Sequence, residues 1–478
     1  MGHANHPQLR GNPPRDVPID APERSPRGDS AAARGAAATG AAATRTAATR
    51  TAATPAPAEK AAPTPSRRIS STASSKPTLR SIATDERRAR LGIRHHLATK
   101  ASGVTPADLV DDLVALHATD PASVFLSAAA RIGAFRPDDL ADALYTDRTL
   151  VRMLGMRRTM FVVPTGSASV VQHSSSDAVA ARLRRALVKD LATGTELSNV
   201  TSDPAIWLAE LDDSVIRLLR ELGESTAIEL SRAEPRLRTQ LTYAEGKAYG
   251  GPANITSRVL NLLSAEGRIV RGRPGGGWFG SQYKWSPIEK WLPDGVPTLS
   301  ADDARAQLVR RWLTRFGPGT MADIVWWTGW NLGDTRRAVA ANDTALVGLD
   351  GDVGVVLASD LEPVAAPPPW IALLPALDPS PMGWSGRDWY ISPDFRPALF
   401  DKTGNIGPTV WCDGRIVGGW AQRSDGAVVW RFLENIGATA TSAVEAEAER
   451  LTEWLKGMRV IPKFRTPLEK ELSAAEPA

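Results

Sequence analysis

The sequence predicts an α+β protein in which three successive segments each contain three short helices followed by a β-hairpin, ahead of a small C-terminal β-barrel. Short apolar runs recur at helical spacing, and each third run leads into strand-type residues around a glycine turn. From residue 367 onward, short strands separated by Gly, Asp and Pro replace the helices. Three helices and a hairpin are the elements of a winged helix, so we expect three tandem winged-helix domains.

The composition bounds the class of protein. A chain of 478 residues is too long for one core, and its 42% hydrophobic content is ordinary for a globular protein. The single cysteine, Cys412, excludes a disulfide framework and a cysteine zinc site. No apolar run approaches the ~20 residues of a membrane helix, and the N-terminus lacks the apolar core of a signal peptide.

Residues 1–84 are rich in Ala, Thr, Pro and Arg, and we expect a disordered tail because they contain few large apolar side chains. This tail carries 12 Lys and Arg against 5 Asp and Glu, whereas the rest of the chain carries 45 against 48. The folded part is therefore not basic overall. Any nucleic-acid surface on it must be a local patch.

The first predicted domain covers residues 85–200. Its second helix starts with the N-cap Thr105 and has proline at the first helical position. Asp120-Pro121 then marks a turn. In chain order, we expect helices from Asp85 to Thr99, Thr105 to His117 and Pro137 to Tyr145, a segment from Leu150 to Val163 that starts helical and ends as a strand, and a helix from Val170 to Leu191 bearing Arg182, Arg184, Arg185 and Lys189.

The second predicted domain covers residues 201–299 and contains the most readable stretch, Asn254 to Trp285. Apolar residues first fit a helix, Gly267 breaks the pattern, and β-branched and aromatic residues then flank a Gly-Gly-Gly turn. Before this stretch, a helix from Pro204 to Leu222 and a capping-box-like start at Ser225 to Glu229 are expected. The stretch is also basic, since its helix and first strand carry Arg258, Arg268, Arg271 and Arg273.

The remainder of the chain gives a third winged helix over residues 300–366, a barrel with a C-terminal helix over 367–460, and a tail over 461–478. Asp350-Gly351 marks the third hairpin, and Asp413-Gly414 and Asp425-Gly426 mark hairpins of the barrel. We expect Asp378 and Arg387 to pair and to hold the barrel against a winged helix. Trp326, Trp327 and Trp330, at helical spacing, are expected in the core.

Several strings resemble the AlkZ/YcaQ family of tandem winged-helix DNA glycosylases: SRVLNLLSAEGRIVRGRP with SQYKW, DIVWWTGW, LLPALDPSPMGWSGRDWY and GNIGPTVWCDGRIVGGWAQR. The similarity covers residues 85–460, and the last two strings are its most specific part. The resemblance implies three winged helices and a β-barrel arranged as a C-shaped clamp around duplex DNA. It also implies hydrolysis of the N-glycosidic bond of bulky alkylated purines without a metal or organic cofactor.

The family's catalytic motif, Gln-Φ-Gln or Gln-Φ-Asp before a turn, is similar in position to His117-Ala118-Thr119, so the chain departs from it at both polar residues. Depurination needs a polar group that positions water at C1′. His117 could accept a proton from this water, and Thr119 could hold it through its hydroxyl. The alternative is that His117 caps the end of its helix while Thr119 and Asp120 fix the turn.

A second family pattern, similar to Arg-Gly-Thr-x-His, matches at Arg157 and Thr159, but Phe161 stands in place of histidine. Basic residues near the three hairpins would meet DNA phosphates, with surface salt bridges as the alternative for each. The pair His95-His96 has no third ligand in view, so no metal site is expected. The expected DNA-binding residues are Arg157, Arg158, Thr159, Arg258, Arg271, Arg273, Arg336 and Arg337.

The leading hypothesis is a cytoplasmic, nucleoid-associated monomer that binds double-stranded DNA, with His117 and Thr119 as the catalytic candidates for a monofunctional glycosylase. Two alternatives remain open. One is a non-catalytic DNA-binding protein, either a transcription regulator or a lesion binder. The other is a protein-interaction scaffold, which the slightly acidic folded part allows.

Overall fold

A computed structural model describes residues 79–193, 203–243 and 251–475. The compact unit starts at Leu79, and the predicted tail over residues 1–78 lies outside the described residues. The end of the segment assigned to the tail is already ordered. Strand β1 (Arg80–Ser81) pairs in parallel with the third-segment strand β9 (Thr344–Leu349). The folded part therefore begins a few residues before the predicted boundary at residue 84.

The first segment contains a three-stranded sheet in the order β2-β4-β3, and helices surround it. The predicted helical start at residue 150 is wrong, because residues 150–154 form a strand. All five of its residues are buried, so the run lacks the alternation that identifies a half-exposed strand. The elements are α1 (Thr84–Arg94), α2 (Pro106–Asp112), β2 (Leu116–His117), α3 (Pro121–Ala129), α4 (Pro137–Tyr145), β3 (Leu150–Leu154), β4 (Met160–Pro164), α5 (Ala168–Val171) and α6 (Asp177–Thr193).

Helix α2 begins as predicted and ends early. Thr105 caps it, and Asp108 completes a capping box. The helix stops at Asp112, and Val114 takes a positive φ of 63°. The chain then turns into β2, so the predicted helix from Thr105 to His117 is two elements. The apolar run that follows Asp112 fits both, which is why its spacing misled the prediction.

The second segment confirms the transition from helix to glycine-tipped hairpin. Gly267 has a φ of 68°, and Gly276 and Gly277 in the turn also have positive φ. Ser225 forms an isolated bridge with Trp285, just before the capping box of the second helix. The elements are α7 (Pro204–Leu222), α8 (Ala227–Ala233), β5 (Gln240–Tyr243), β6 (Gly251–Asn254), α9 (Thr256–Ala265), β7 (Ile269–Pro274) and β8 (Tyr283–Pro287).

The third segment repeats the order of elements. Ser300 caps its first helix, Asp350 and Gly351 take positive φ in the hairpin turn, and Gly319 bridges to Val355. In every segment, a residue or short strand pairs with the last strand of the hairpin. It follows α2 in the first segment and the first helix of the segment in the other two. The elements are α10 (Ala301–Phe316), α11 (Met321–Thr328), α12 (Leu332–Ala340), β9 and β10 (Asp352–Leu357).

The C-terminal segment is an open sheet and not the predicted barrel. Its four antiparallel strands are in the linear order β11-β12-β13-β14, and within the described residues the two outer strands do not pair with each other. One face packs against α14 and the other against α15, so helices cover surfaces that a closed barrel would bury. The elements are β11 (Ile371–Leu374), α13 (Arg396–Leu399), β12 (Thr409–Cys412), β13 (Arg415–Gln422), β14 (Val428–Phe432), α14 (Ala438–Leu455) and α15 (Pro467–Ala474).

Helix α15 lies within the segment predicted as a charged tail. Leu468 and Leu472 are buried in the same apolar cluster as Trp411 of the sheet. A chain end that buries two leucines is part of the folded body. No helix within the described ranges is both long enough and apolar enough to cross a membrane.

Candidate nucleic-acid interface and active site

His117 lies on β2, opposite Phe161 of β4. The two rings meet edge to face with centroids 5.4 Å apart, and His117 keeps 8% of its surface exposed. Since α2 ends at Asp112, the imidazole does not cap a helix, and this part of the structural alternative is wrong. His117 is therefore a strand residue at the edge of a buried sheet.

The imidazole of His117 is neutral at physiological pH. Burial, and secondarily the charge of Arg157, lower the pKa of His117 to about 3. Its Nδ1 atom is buried without a hydrogen-bond partner. A neutral imidazole does not repel a positively charged sugar, but such a low pKa makes it a weak base. The side chain is better suited to orienting a water molecule than to deprotonating one.

Thr119 and Asp120 connect β2 to α3. Thr119 is half-buried, and Asp120 is buried as the N-cap of α3. The backbone N–H of Ala122 donates to Asp120 Oδ1 at 3.1 Å, and that of Lys463 donates to Oδ2 at 2.9 Å. Burial raises the pKa of Asp120 despite these bonds. Both carboxylate oxygens thus accept hydrogen bonds from backbone N–H groups, which supports the expected structural role of Asp120 at this turn.

Two guanidinium groups share the ring of Trp326, and one of them, Arg157, carries the charge that acts on His117. Arg157, at the turn between β3 and β4, lies 4.2 Å from the ring centroid, and Arg387 lies 4.8 Å from it. Burial, and then the charge of Arg387, lower the pKa of Arg157 to about 10. Arg157 Nε is buried without a hydrogen-bond partner. Trp326, expected in the core, is half-buried and holds two cations.

The expected pair of Asp378 with Arg387 is wrong. Asp378 instead makes a bidentate ion pair with Arg131 of the first segment, at 2.7 and 2.8 Å, and both side chains are fully buried. A lone carboxylate at this depth would be costly, and Arg131 offers two donors in the required geometry. The predicted contact between the C-terminal part and an earlier segment therefore exists with another arginine.

Around the first hairpin, Arg158 is exposed, and Thr159 is half-buried with its hydroxyl donating to the Arg157 carbonyl at 3.5 Å. Arg182 and Arg185 of α6 are exposed as well. Partial burial, and then the charges of Arg158 and Arg185, lower the pKa of Arg182. These three arginines therefore form one cationic surface.

The second hairpin uses its basic residues differently. Arg258 pairs with Asp190 at 2.6 Å. Arg271 lies over the ring of Trp285 at 5.4 Å, and Arg273 lies over Tyr145 of the first segment at 5.0 Å. At the tip, the ring of Trp278 lies 4.9 Å from that of Phe125 and 5.8 Å from that of Trp454 in α14. This hairpin is docked against the body of the protein.

In the third segment, Arg336 is exposed on α12, and Arg337 pairs with Asp334 on the same helix. The two histidines of the pair contact different polar side chains. His95 Nδ1 lies 2.8 Å from Ser380 Oγ, and His96 Nε2 lies 2.6 Å from Asp112 Oδ2. No group of side chains suited to holding a metal ion occurs in the part of the chain that the structure describes.

The fold and the residues around His117 indicate the class of protein: an α+β protein with a neutral imidazole beside a cationic surface. A family model described as "DNA glycosylase AlkZ-like" matches residues 110–454. The chain therefore belongs to the AlkZ-like DNA glycosylase family. A family of this kind acts on DNA, so the chain's DNA-binding and glycosylase assignments have the family's support.

The fold is also similar to the solved structure of the Streptomyces sahachiroi DNA glycosylase AlkZ. That match has a TM-score of 0.59 at 19% sequence identity and covers 80% of this chain and 99% of that one. At this identity, the match supports the fold alone. A comparison with curated proteins found no match.

Sequence reasoning missed Arg387 as a neighbour of the candidate site. The only signal was its place in the string PSPMGWSGRDWY, which is among the most specific for the family. Spacing along the chain does not show that Arg387 and Arg157, at the turn of the first hairpin, contact the same ring of Trp326. Arg182 and Arg185 were visible as a basic helix face, but the turn that approaches them was not.

Proposed function

We propose that the protein binds duplex DNA and hydrolyses the N-glycosidic bond of bulky alkylated purines, with His117 and Thr119 positioning the water. The three helix and hairpin segments, within residues 85–200, 201–299 and 300–366, act as winged helices. The observation that carries the proposal is a neutral imidazole at the position of the family's catalytic motif, next to a cationic surface. The family match supports the same class of reaction.

In the proposed reaction, the oxygen of water bonds to C1′ of the sugar as the bond from C1′ to the purine nitrogen breaks. The purine leaves with the bonding electron pair, and its positive charge is neutralised. The proton released by water passes to solvent. A cationic alkylpurine is a good leaving group, so His117 and Thr119 only have to orient water, each through one hydrogen bond. No cofactor is needed for this step.

One feature of the site opposes fast catalysis. The sugar becomes positively charged as the purine leaves, and the charge of Arg157 lies close enough to affect the pKa of His117. Asp120, the nearest carboxylate in the sequence, already accepts two backbone hydrogen bonds. We therefore infer a slow enzyme that is limited to purines carrying a positive charge.

The positive charge close to His117 favours a second candidate, a DNA-binding protein that binds lesions without cleaving the glycosidic bond. A site with two guanidinium groups that make no ion pair with a carboxylate of the described residues binds phosphate well and stabilises a cationic sugar poorly. This candidate predicts salt-dependent binding of duplex DNA that is independent of His117.

The two candidates differ in one assay, single-turnover incubation of the purified protein with a duplex containing 7-methylguanine or an interstrand crosslink. The enzyme proposal predicts abasic product from wild type and from His117→Gln, since glutamine also orients water. It predicts about 100-fold less product from His117→Ala. No abasic product at any pH near neutral removes the enzyme proposal. Binding that is unchanged in His117→Ala then supports the lesion binder.

The arginines on the three segments have different roles in the proposal. Arg158 of the first hairpin and Arg336 of α12 are exposed to phosphates, with Thr159 holding the turn. Arg157 is partly buried, and its buried Nε lacks an acceptor. Arg258 and Arg337 would have to leave Asp190 and Asp334. Arg271 and Arg273 lie on aromatic rings in a hairpin whose tip is docked against α14. We therefore propose that the first and third segments contact DNA more closely than the second.

A further inference from the structure

A set of arginines without carboxylate partners extends from the candidate site to α6. Arg387 and Arg157 lie on Trp326, and Arg158 directly follows Arg157. Arg158 and Arg185 in turn are the charges that act on Arg182. We call these five arginines (Arg387, Arg157, Arg158, Arg182 and Arg185) the arginine band. Across residues 79–193, 203–243 and 251–475, no carboxylate lies within ion-pair distance of any of them.

An arginine next to the arginine band does form ion pairs, so the lack of carboxylate partners is particular to the band. On the same helix, Arg184 binds both Asp212 and Glu266. Arg182 and Arg185 are three residues apart and share the exposed side of α6, whereas Leu187 and Leu191 are buried on the other side. Like charges at this spacing repel one another, so these two arginines do not stabilise the folded protein in the absence of a ligand. An anionic ligand with several charges at regular intervals would remove the repulsion.

Near Trp326, the geometry also suits an anion. Stacking against the indole fixes the plane of each guanidinium. Arg387 Nε also donates to the Trp384 carbonyl oxygen at 3.0 Å, which further fixes the orientation of this side chain. Arg157 Nε already lacks an acceptor although it is buried. Guanidinium groups of this kind bind phosphate oxygens through two parallel hydrogen bonds.

We propose that the arginine band binds the phosphodiester backbone of one strand of duplex DNA, from the nucleotide at His117 across the first hairpin and onto α6. The inference rests on the proposed function and extends it to Arg182, Arg185 and Arg387. It fixes the direction in which the duplex leaves the site. It also assigns the docked second hairpin no part in holding that strand.

The test is fluorescence anisotropy with one undamaged duplex at several salt concentrations. Each phosphate contact contributes about 0.9 to the slope of log affinity against log salt, so Arg182→Gln with Arg185→Gln lowers the slope by about 2. Arg387→Gln lowers it by about 1. Arg232→Gln, at an exposed arginine on α8, is the matched control and leaves the slope unchanged. Thermal unfolding checks that each variant is folded.

The α6 double variant decides the proposal, because both side chains are exposed and their removal is not expected to disturb the core. Wild-type binding with an unchanged slope in this variant overturns the arginine band and leaves the proposed function intact. An unchanged slope is also the result expected if the arginine band binds an acidic protein instead of DNA. Absence of duplex binding by wild type, even at low salt, overturns both. A lowered slope without abasic product removes only the hydrolysis step.

Discussion

The first and second hairpins both place arginines on aromatic rings, and they differ in their exposed charge and in how their tips are held. At the first, Arg158 is exposed beside Arg182 and Arg185 of α6. At the second, Arg271 and Arg273 lie on aromatic rings, and the tip is held by Trp278. A basic hairpin in a sequence is therefore not sufficient evidence of a DNA-binding wing. The partners of each guanidinium in the folded protein decide its role.

The largest expected effect comes from undocking the second hairpin. Trp278→Ala removes the ring that contacts Phe125 and Trp454, and we expect it to lower the free energy of unfolding by about 3 kcal/mol. Urea denaturation measures this change. The neighbouring and more exposed Phe279→Ala is the control, with an expected loss below about 1 kcal/mol. Equal effects of the two substitutions would mean that the tip is not anchored by Trp278.

The next effect is a pH dependence from the site beside the first hairpin. His117 is protonated in the unfolded chain below about pH 6.5 but not in the folded protein, where its pKa is about 3. Stability therefore falls as the pH is lowered through this window, by about 1.4 kcal/mol per pH unit. His117→Gln abolishes this contribution, so urea midpoints of the variant and wild type diverge between pH 6 and pH 4. Parallel curves would show that the imidazole titrates normally in the fold.

A smaller effect compares the two hairpins directly. Arg158→Gln is expected to lower the salt slope of duplex binding by about 1, and Arg273→Gln to leave it unchanged. Both side chains are exposed, so the contrast isolates the neighbours of each charge. Anisotropy titrations at four salt concentrations are sufficient. The reverse ranking would show that Arg273 leaves Tyr145 when DNA binds.

The smallest expected effect concerns the ion pair of Arg258 with Asp190. Both partners are more than a third exposed, so Arg258→Gln should change the free energy of unfolding by less than about 0.5 kcal/mol. Duplex affinity should change as little. A clear loss of affinity without a change in stability would place Arg258 at the DNA after all.

The sequence predicted local elements well where their signals are local. Gly267 and the triple glycine gave the second hairpin, and Thr105 gave a helix start, because turn and cap chemistry depend on neighbouring residues. Strand β3 was missed because burial on both faces removes the alternation. The barrel was wrong because pairing between its outer strands depends on contacts far apart in the sequence.

For the candidate site, the sequence predicted residues but not their neighbours. His117 and Thr119 follow from the family motif, and Arg157 from a second one. That Arg387 shares Trp326 with Arg157, or that Asp378 binds Arg131, depends on packing between segments that are far apart in the sequence. The depressed pKa of His117 likewise results from burial by residues of β4 and its turn, which composition does not reveal.

Hydrogen exchange of the protein with and without an undamaged duplex tests most directly whether the first hairpin, and not the second, contacts DNA. The account predicts that DNA slows exchange at residues 156–159 and along α6, while residues 269–274 exchange slowly in both states because that strand is already docked. Slowed exchange at residues 275–282 with none at residues 156–159 would contradict it.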